Sequence, residues 1–448
     1  MASPDRIAIV GAGITGASTA HYLDEALPEA TIEVFERADR VGGRLRTLTV
    51  GDRTIEAGGK FLHTDDRRCA GFVEAFDLGR ADPADLDDSE PPEMGTDKTL
   101  GIWDGDSFRI NLESSLVGAA AHLLTGYPLS VYRLLRASST VEDALDSLDD
   151  ALAEGRAFES PAAMCEAVGL TEHCRTSAAE FLADAGVSDD CLAELVGATA
   201  QTTFGQGPSV HAFGALYAVL SMGAGDGDPF AVEGGNVRLV EALLDASDAT
   251  VHTDTAVETV ARTRGGYAVE TSDGTTPVSD VVIATPLETA DIELDGIADP
   301  TMRDFYTNQL SFVVGDLDPD YFGTDAIPDF VTAADDPDVP FTLFSRYGPV
   351  EGFEGTLYEL DTPGDPDAVL DAMFERHEVV ESIPWSASPV YDPDADWPAF
   401  ELAEGCYYPN AIESLLSTIE FGALAGENVA TLIAGADAAE RPATPADD

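Results

Sequence analysis

The glycines near the start of the chain have the types and spacing that bind phosphate. Gly11, Gly13 and Gly16 follow an apolar run at residues 7–10 and open a helical pattern that begins at Ile14. In dinucleotide-binding turns the first glycine permits the tight turn, the second lets backbone N–H groups approach a pyrophosphate, and the third lets the helix pack on the strand. The helix N terminus adds a partial positive charge that attracts phosphates. These residues therefore predict a dinucleotide site.

The residues after the second predicted strand select the cofactor. Glu36 ends that strand, at the distance where a carboxylate accepts hydrogen bonds from ribose hydroxyls. The segment from Arg37 to Arg44 then contains the pair Gly42 and Gly43, which allows a second close approach of backbone to the pyrophosphate. This pair resembles that of the FAD-containing amine oxidase and prenylcysteine oxidase group, and nicotinamide enzymes usually lack it. The sequence therefore favours FAD.

The elements that must position this site are spread along the chain. Residues 251–260 and 267–271 have strand patterns joined by a glycine hairpin, residues 280–286 form a buried strand, and a long helical run covers about 413–433. These patterns predict an α/β fold of the amine oxidase-like type, in which a discontinuous Rossmann-like FAD-binding domain joins an α+β substrate domain. The predicted FAD-binding domain comprises residues 1–80, 229–300 and 401–437. The predicted substrate domain comprises a mostly helical part, 81–228, and a β-rich part, 301–400, and a disordered tail follows at 438–448.

The chain is extremely acidic. Its formal net charge is −61, its pI is near 4.1, and its 23 basic residues include only two lysines, Lys60 and Lys98. Such a chain repels itself at low salt, whereas molar salt shortens the Debye length to roughly 3 Å and screens the repulsion. The acids are spread along the chain rather than gathered in blocks, which favours a halophile's protein over an acidic interaction protein. The same charge opposes binding to nucleic acid.

Cysteine usage and hydropathy indicate the redox state and the cellular location of the protein. The five cysteines are odd in number and show neither CxxC nor metal-ligand spacing, which predicts reduced thiols and no metal site. The first strand begins at residue 6 or 7, which leaves no room for a secretory signal, and no apolar run reaches the roughly 18 residues that span a bilayer. We therefore expect a cytoplasmic protein that is soluble or at most peripheral to the membrane. The sequence gives no indication of its oligomeric state.

Two stretches lack the acids that are frequent elsewhere. Residues 195–225 carry no charge unless His211 is protonated, and residues 114–141 contain no acid. The first stretch predicts the buried interior of a substrate pocket beside the flavin, with a plain core helix as the alternative. The second overlaps residues 109–136, whose basic edge predicts peripheral contact with anionic lipid or, equally, helices packed inside the substrate domain. The pocket residues predicted from the first stretch are Phe204, Gln206, Phe213 and Tyr217.

Several motifs together resemble the prenylcysteine oxidase family. Cofactor motifs are shared by many flavoproteins, whereas the combination of F-G-Q, A-V-E-G-G-N and P-W is more specific to this family. The resemblance runs from residue 6 to about 433. The motifs lie at residues 56–63 (E-A-G-G-K-F-L-H), 204–206 (F-G-Q), 210–215 (V-H-A-F-G-A), 231–236 (A-V-E-G-G-N), 282–287 (V-I-A-T-P-L), 384–385 (P-W) with 389–391 (P-V-Y), and 407–410 (Y-Y-P-N).

The resemblance implies an activity and a larger cofactor site. The family uses FAD and O2 to cleave the thioether of a prenylated cysteine, which gives H2O2, a prenyl aldehyde and free cysteine. A hydride leaves the allylic carbon beside sulfur, and the protein has mainly to orient that carbon, exclude water and stabilise the reduced flavin, so few acid–base residues are needed. By position, the resemblance adds to the predicted FAD site Gly58, Gly59, Val257, Thr285, Asn410 and Ser417.

Two residues are catalytic candidates. His63 matches a histidine of the family pattern and could orient the amino acid end of the substrate or move a proton, or it could lie near the flavin without a chemical role. Lys60 could contact the flavin or help O2 accept electrons, or it could be exposed at the domain cleft. Tyr407 and Tyr408 are expected to flank the flavin ring, with core packing as the equal alternative. Cys406 is badly placed for a covalent link, so we expect noncovalent FAD.

Two other functions remain open beside oxidation of an isoprenoid-modified cysteine. One is an oxidase or desaturase of amines or carotenoid-like isoprenoids. Thr418 counts against amines, because amine oxidases commonly place an aromatic residue there. The other is a flavoprotein that binds an isoprenoid without reacting with it.

Overall fold

A computed structural model describes residues 5–83, 86, 99–111, 126–225, 227–336 and 338–440 of the 448-residue chain. The predicted disordered tail, 438–448, is wrong for residues 438–440, which are helical, and its remainder, 441–448, lies outside the described residues, as does the middle of the predicted lipid-facing patch, 112–125. The helices are α1 (Ile14–Ala26), α2 (Arg67–Ala75), α3 (Pro128–Ala153), α4 (Pro161–Ala167), α5 (Thr171–Arg175), α6 (Ala178–Asp184), α7 (Asp189–Cys191), α8 (Ala198–Phe204), α9 (Ala212–Val219), α10 (Val237–Ala246), α11 (Asp367–Met373) and α12 (Ile419–Glu440), with π-helical turns at Leu192–Gly197 and Leu220–Ala224 and a 3-10 turn at Pro409–Ser414.

The strands fall into two large sheets and three small ones. They are β1 (Arg6–Val10), β2 (Thr31–Phe35), β3 (Thr47–Val50), β4 (Arg53–Glu56), β5 (Leu62–His63), β6 (Arg80–Ala81), β7 (Leu100–Trp103), β8 (Phe108–Asn111), β9 (Pro229–Val232), β10 (Thr250–His252), β11 (Val257–Thr263), β12 (Gly266–Thr271), β13 (Gly274–Val278), β14 (Asp280–Ile283), β15 (Glu293–Asp295), β16 (Phe305–Leu317), β17 (Phe330–Ala333), β18 (Leu343–Pro349), β19 (Thr356–Thr362), β20 (Phe374–Pro389), β21 (Glu401–Ala403) and β22 (Cys406–Tyr407).

The first large sheet confirms the predicted Rossmann-like architecture. Its strand order is β10-β2-β1-β14-β22-β21, and all neighbours except the last pair run parallel. The strands come from three distant parts of the chain, as the sequence predicts for a discontinuous domain. The carboxyl ends of β1, β2 and β14 lie together at one edge, which is where an open parallel sheet binds its ligand.

The last helix begins later than the sequence predicts. The helical pattern from about residue 413 divides into the 3-10 turn Pro409–Ser414 and α12, which starts at Ile419. The hydroxyl of Thr418 accepts the backbone N–H of Phe421 at 3.3 Å and so caps the helix. The break leaves Ser417 outside the helix, where its N–H donates to the hydroxyl of Tyr391 at 2.8 Å.

The second large sheet forms the frame of the substrate domain, in the order β20-β16-β19-β18-β17-β7-β8. One face packs on α11 through an apolar cluster that includes Phe344 and Leu370. The hairpin of β3 and β4 covers part of the other face, through Ile55. The sheet differs from the predicted division, because β7 and β8 lie within the segment expected to be mostly helical. Local patterns could not reveal this, since β7 pairs with β17, more than 200 residues away.

Within the described ranges, no helix is long and apolar enough to cross a membrane. The same part of the chain contains no cluster of three or more histidine, cysteine or acidic side chains arranged to hold a metal ion. All five cysteines are buried, and none is in a disulfide.

The close contact between α1 and α12 depends on glycines, which have no side chain. A Cβ at Gly426 would lie 2.2 Å from Ser18 Oγ and 2.8 Å from the backbone nitrogen of Thr19. We expect Gly426→Ala to lower the free energy of unfolding by about 1–3 kcal/mol, the usual cost of overpacking. Gly435 lies in the same helix with no atom within 4 Å of an added Cβ, so Gly435→Ala should stabilise by up to about 1 kcal/mol through helix propensity. Calorimetry in molar salt would measure both variants, and equal shifts would contradict the packing argument.

Candidate active site

A cavity of about 700 Å³ joins the edge of the parallel sheet to the face of the seven-stranded sheet. At one end it is lined by the residues that follow β1, β2 and β14, namely Gly11, Glu36 and Ala284. At the other end it is lined by Tyr306 and Asn308 of β16 and by neighbouring strands of the same sheet. Both predicted domains therefore contribute to one site.

The glycine turn leaves room for a phosphate group. Gly13 lines the cavity and forms a backbone bridge with Gly42, yet a Cβ at Gly13 would find its nearest neighbouring atoms only 3.9 Å away. Gly11 has a φ of +106°, and a Cβ there would lie 2.7 Å from the carbonyl oxygen of Ala284, so only glycine fits. Gly16 does not line the cavity. It packs the helix on the turn, where a Cβ would lie 2.0 Å from the carbonyl oxygen of Gly11.

Glu36 is held in a fixed position at the cavity wall. Its two carboxylate oxygens accept the backbone N–H groups of Ala12 and Ala38, each at 2.9 Å. A carboxylate oxygen has more than one acceptor site, so each oxygen can still accept a hydroxyl group from a ligand. This arrangement fits the ribose diol of a dinucleotide, and Arg37 lines the cavity beside it.

A second group of residues closes the cofactor end of the cavity. Arg44 donates to the carbonyl of Ala387 at 2.9 Å and to the hydroxyl of Ser417 at 3.0 Å, and it also pairs with Glu413. The amide of Asn410 donates to Glu413 at 2.7 Å, while its buried oxygen has no hydrogen-bond partner among the described residues. A buried acceptor without a partner is costly unless a ligand supplies a donor. The cavity wall here therefore fits a group with N–H donors, such as a flavin ring.

Most of the residues predicted to bind FAD meet at this cavity. Val257 instead lines a smaller adjoining cavity of about 280 Å³, which shares Gly11, Glu36 and Thr285 with the main one. The predicted FAD residues that line the main cavity are Gly11, Gly13, Ile14, Glu36, Arg37, Gly42, Gly43, Arg44, Gly58, Gly59, Thr285, Asn410 and Ser417.

Lys60 lies in the cavity wall as part of a buried ion pair. Its ammonium pairs with Glu359 of β19, and the two side chains are 13% and 0% exposed. The hydroxyl of Tyr347 donates to the same carboxylate oxygen at 2.7 Å. The alternative of an exposed lysine is therefore wrong. A role for Lys60 in contacting flavin or assisting O2 stays a prediction.

His63 lines the cavity as a neutral imidazole. Its Nε2 lies 3.0 Å from the carbonyl oxygen of Ser221, and because a carbonyl can only accept, Nε2 carries a proton. Burial lowers the pKa of His63, which favours the neutral ring with Nδ1 unprotonated. Nδ1 is 3.8 Å from Asp66, whose pKa is raised well above its usual range by burial and by the charge of Glu420. His63 can therefore accept a proton at Nδ1, and whether the reaction uses it stays a prediction.

The structure changes the predicted substrate pocket. Phe204 and Tyr217 line the cavity, as expected. Phe213 instead points into the core beside Phe421. Gln206 lies behind the wall, where it donates to the carbonyl of Pro389 at 2.9 Å and accepts the N–H of Tyr391 at 3.0 Å. The F-G-Q motif therefore supports the pocket rather than contacting its contents through Gln206.

Neither tyrosine of the Y-Y-P-N motif lies in the cavity wall. Tyr407 is buried within β22 of the parallel sheet. The hydroxyl of Tyr408 lies 3.0 Å from Glu288 and accepts from Arg303 at 2.9 Å, in a buried polar cluster. These tyrosines pack the core, which was the alternative expectation. Their neighbour Asn410 is the motif residue that reaches the cavity.

Sequence reasoning missed the positioning role of Asn236. Its amide nitrogen donates to the carbonyls of Gly59 at 2.9 Å and Lys60 at 3.1 Å, while its oxygen accepts the N–H of Val232 at 2.8 Å. Asn236 thus ties the A-V-E-G-G-N motif to the turn that carries Lys60. The signal was present, because a buried asparagine after two glycines needs hydrogen-bond partners.

A set of polar residues on the seven-stranded sheet was also missed. Tyr306, Asn308, Glu359 and Asp361 all line the cavity. Burial, reinforced by the charge of Glu359, raises the pKa of Asp361 to about 7. The available signal was the alternation of acids with apolar residues in β19, which places the acids on one face.

The fold and this cavity define a two-domain FAD-binding oxidoreductase of the amine oxidase-like type. A family model for an NAD(P)-binding Rossmann-like domain matches residues 9–76. Cyclohexylamine oxidase from Brevibacterium oxydans aligns over 98% of this chain and 100% of its own, with a TM-score of 0.60 and 16% identity. A fatty acid isomerase from P. acnes aligns over 96% and 99%, with a TM-score of 0.64 and 15% identity. At these identities the likeness shows the fold alone.

The chain belongs to the prenylcysteine lyase family, whose model matches residues 113–441. Farnesylcysteine lyase from Arabidopsis thaliana is 32% identical over 96% of this chain and 88% of its own length. Prenylcysteine oxidase 1 from mouse is 29% identical over 96% and 89%. Members of this family are FAD-dependent oxidoreductases, so FAD, as predicted from the glycine motifs, is confirmed as the cofactor.

The fixed position of Glu36 allows its role in FAD binding to be tested against a control variant. Glu36→Ala removes a charged acceptor whose hydrogen bonds are each worth about 1.5–3 kcal/mol, so FAD affinity should fall at least tenfold. Glu33→Ala is the control, because Glu33 lies on β2, the strand that Glu36 directly follows, but pairs with Arg6. Titration of the apoproteins with FAD, followed by flavin fluorescence in molar salt, measures both. An equal loss in the two variants would show that the effect comes from the strand and not from the ribose contact.

Proposed function

We propose that this protein oxidises the thioether of an isoprenoid-modified cysteine. The reaction converts the thioether, O2 and H2O into an aldehyde, a free thiol and H2O2, so that carbon loses two electrons and O2 gains them. The observation that carries the proposal is that one cavity is lined at one end by the glycine turn that fits FAD and at the other by Phe204, Phe330 and Leu343, which can hold an apolar chain. The names of the relatives, farnesylcysteine lyase and prenylcysteine oxidase 1, support the same substrate class.

The chain's own residues would perform three tasks. When bound, FAD supplies the two-electron oxidation, taking a hydride from the carbon beside sulfur and passing the electrons to O2. Phe204, Phe330 and Leu343 would hold the isoprenoid chain and keep bulk water from the reacting carbon. His63 presents an unprotonated Nδ1 able to accept the proton released when water adds to the oxidised carbon. Arg44 and Asn410 would hold the cofactor in place from the other side of the cavity.

Anaerobic reduction of the bound flavin, followed near its absorption band at roughly 450 nm, tests the proposal. Farnesylcysteine should bleach the flavin, and in air it should give one H2O2 for each aldehyde. S-Dodecylcysteine is the control, because its chain is apolar but lacks the allyl group that stabilises the developing cation, so it should react far more slowly. Bleaching by a polyamine or a carotenoid precursor instead would move the activity to another class. Tight binding of farnesylcysteine without bleaching would favour a binding protein.

We also propose that the protein works in the cytoplasm of a halophile. The support is its net charge of −61 and its near-absence of lysine. On dilution from molar KCl to 0.1 M, where the Debye length grows to about 10 Å, the acids should repel and the protein should lose structure. Sucrose at matched osmolality provides the control. Full activity and an unchanged circular dichroism spectrum at low salt would contradict this setting.

Peripheral contact with lipid is a further proposal, through the described part of the patch at residues 109–136. On α3 the side chains of Leu129, Tyr132 and Leu135 are 65%, 63% and 46% exposed, and Arg136 is exposed beside them. The helix packs against the π-helical turn Leu220–Ala224, part of which lines the cavity. An apolar chain could therefore pass from the membrane towards the site.

Co-sedimentation with phosphatidylglycerol vesicles in molar salt tests this contact. Because salt screens the arginine, the apolar side chains should dominate, and Tyr132→Glu should reduce binding several-fold. Val379→Glu is the matched control, since Val379 is a similarly exposed apolar residue on β20. If the wild type does not sediment, or if both variants lose binding alike, the patch is not a lipid contact.

A further inference from the structure

Two acids on one face of the seven-stranded sheet stand out among apolar neighbours. Asp361 of β19 lies directly between Leu310 of β16 and Leu343 of β18 in the strand register. Glu359, two residues earlier, points to the same face. Both line the cavity. We call Glu359, Asp361 and Asn308, which donates to Asp361, the acidic wall.

The acidic wall has more negative than positive charge. Lys60 is the only cationic side chain that pairs with Glu359 among the described residues, and none of them pairs with Asp361. Glu359 Oε1 and Asn308 Oδ1 are buried without hydrogen-bond partners in the same part of the chain. Burying a charge without a partner costs several kcal/mol by general estimates. The wall is therefore more stable with a cation beside it.

The cavity contains a second pair of acids whose surroundings differ. Glu420 accepts the backbone N–H groups of Arg68 and Cys69 at 3.1 and 2.9 Å and pairs with the Arg68 guanidinium. Asp66 accepts the backbone N–H of His63 at 2.7 Å. Glu420 is therefore already paired with a cation, whereas no cationic side chain among the described residues pairs with Asp361.

We infer that Glu359 and Asp361 bind the ammonium group of the substrate's amino acid head, with Lys60 beside them binding its carboxylate. This inference rests on the proposed function and names the part of the substrate that the wall recognises. A lysine ammonium has three donors, and Glu359 uses one of them, so donors remain for a carboxylate. A free amino acid carries both charges a few ångströms apart, which is the pattern that the wall complements.

The same arrangement would reject substrates without an ammonium group. An acylated amino group has no positive charge, so its binding leaves the buried carboxylates unmatched. Selectivity of this kind arises because the buried polar groups of the site are left without partners when the ligand lacks the matching group, which weakens binding.

Paired ligands test the inference without requiring turnover. Holoenzyme reduced with dithionite in molar salt cannot oxidise the ligand, so equilibrium dialysis measures binding alone. The ligands are farnesylcysteine and 3-(farnesylthio)propionic acid, which lacks only the amino group. Wild-type protein should bind farnesylcysteine at least tenfold more tightly. In Asp361→Asn that ratio should fall close to one, mainly through weaker binding of farnesylcysteine, and Glu359→Gln should lower the ratio as well.

Asp66→Asn serves as the matched control, because it replaces another carboxyl group of the same cavity with an amide of the same size. It should change the two affinities by the same factor and leave their ratio intact. Retained flavin in each variant shows that the protein is folded. The inference is overturned if the ratio survives in both wall variants, if Asp66→Asn abolishes it, or if wild-type protein does not discriminate. These outcomes are separate from the proposed function, which fails only if farnesylcysteine does not reduce the oxidised flavin.

Discussion

The close approach of α12 to α1 is the contact on which the rest of the site depends. Gly422 and Gly426 lie against the first turns of α1, where an added Cβ would come within 3 Å of Ile14, Thr15 and Ser18. This approach brings a segment more than 390 residues away to the phosphate turn, so the residues that precede α12 can reach the same cavity as Gly13. If the helices stood one side chain further apart, Asn410 and Ser417 would move away from the cofactor end. Small residues here therefore determine whether the cavity is closed.

Electrostatics act differently on the two populations of acids in this protein. Acids on the surface face solvent, where salt screens their repulsion. Glu56, Glu359 and Asp361 are enclosed and gain little from salt, and burial raises the pKa of both Glu56 and Asp361 to about 7. A chain that has kept only two lysines places one of them, Lys60, beside these enclosed acids. The lysine is explained by local charge balance at the site rather than by solubility.

The sequence predicted the local features of the site well and missed those that depend on pairing between distant strands. Gly11, Gly13 and Glu36 belong to one strand–turn–helix–strand unit of about 30 residues, so spacing alone located them. The acidic wall depends on how β19 pairs with β16 and β18, which no local pattern specifies, since the sequence predicts only a β-rich part at 301–400. The tyrosines at 407 and 408 show the opposite error. Their motif indicated nearness to the cofactor, but only the pairing of β22 with β14 decides that Tyr407, and Tyr408 directly after it, are buried in the core.

The fold shared with amine oxidases and the part of the cavity that faces the substrate lie in different segments of the chain. The parallel sheet and its glycine turns hold the cofactor and are what so many flavoproteins share. The opposite side of the cavity is formed by β16 to β19, where apolar residues and acids lie side by side across neighbouring strands. A hydride can leave carbon beside nitrogen or beside sulfur with the same cofactor, so the cofactor cradle does not choose the substrate. The choice lies with Leu310, Leu343 and Asp361, because one face must accept both an apolar chain and a charged head, and only the register of these strands sets them side by side.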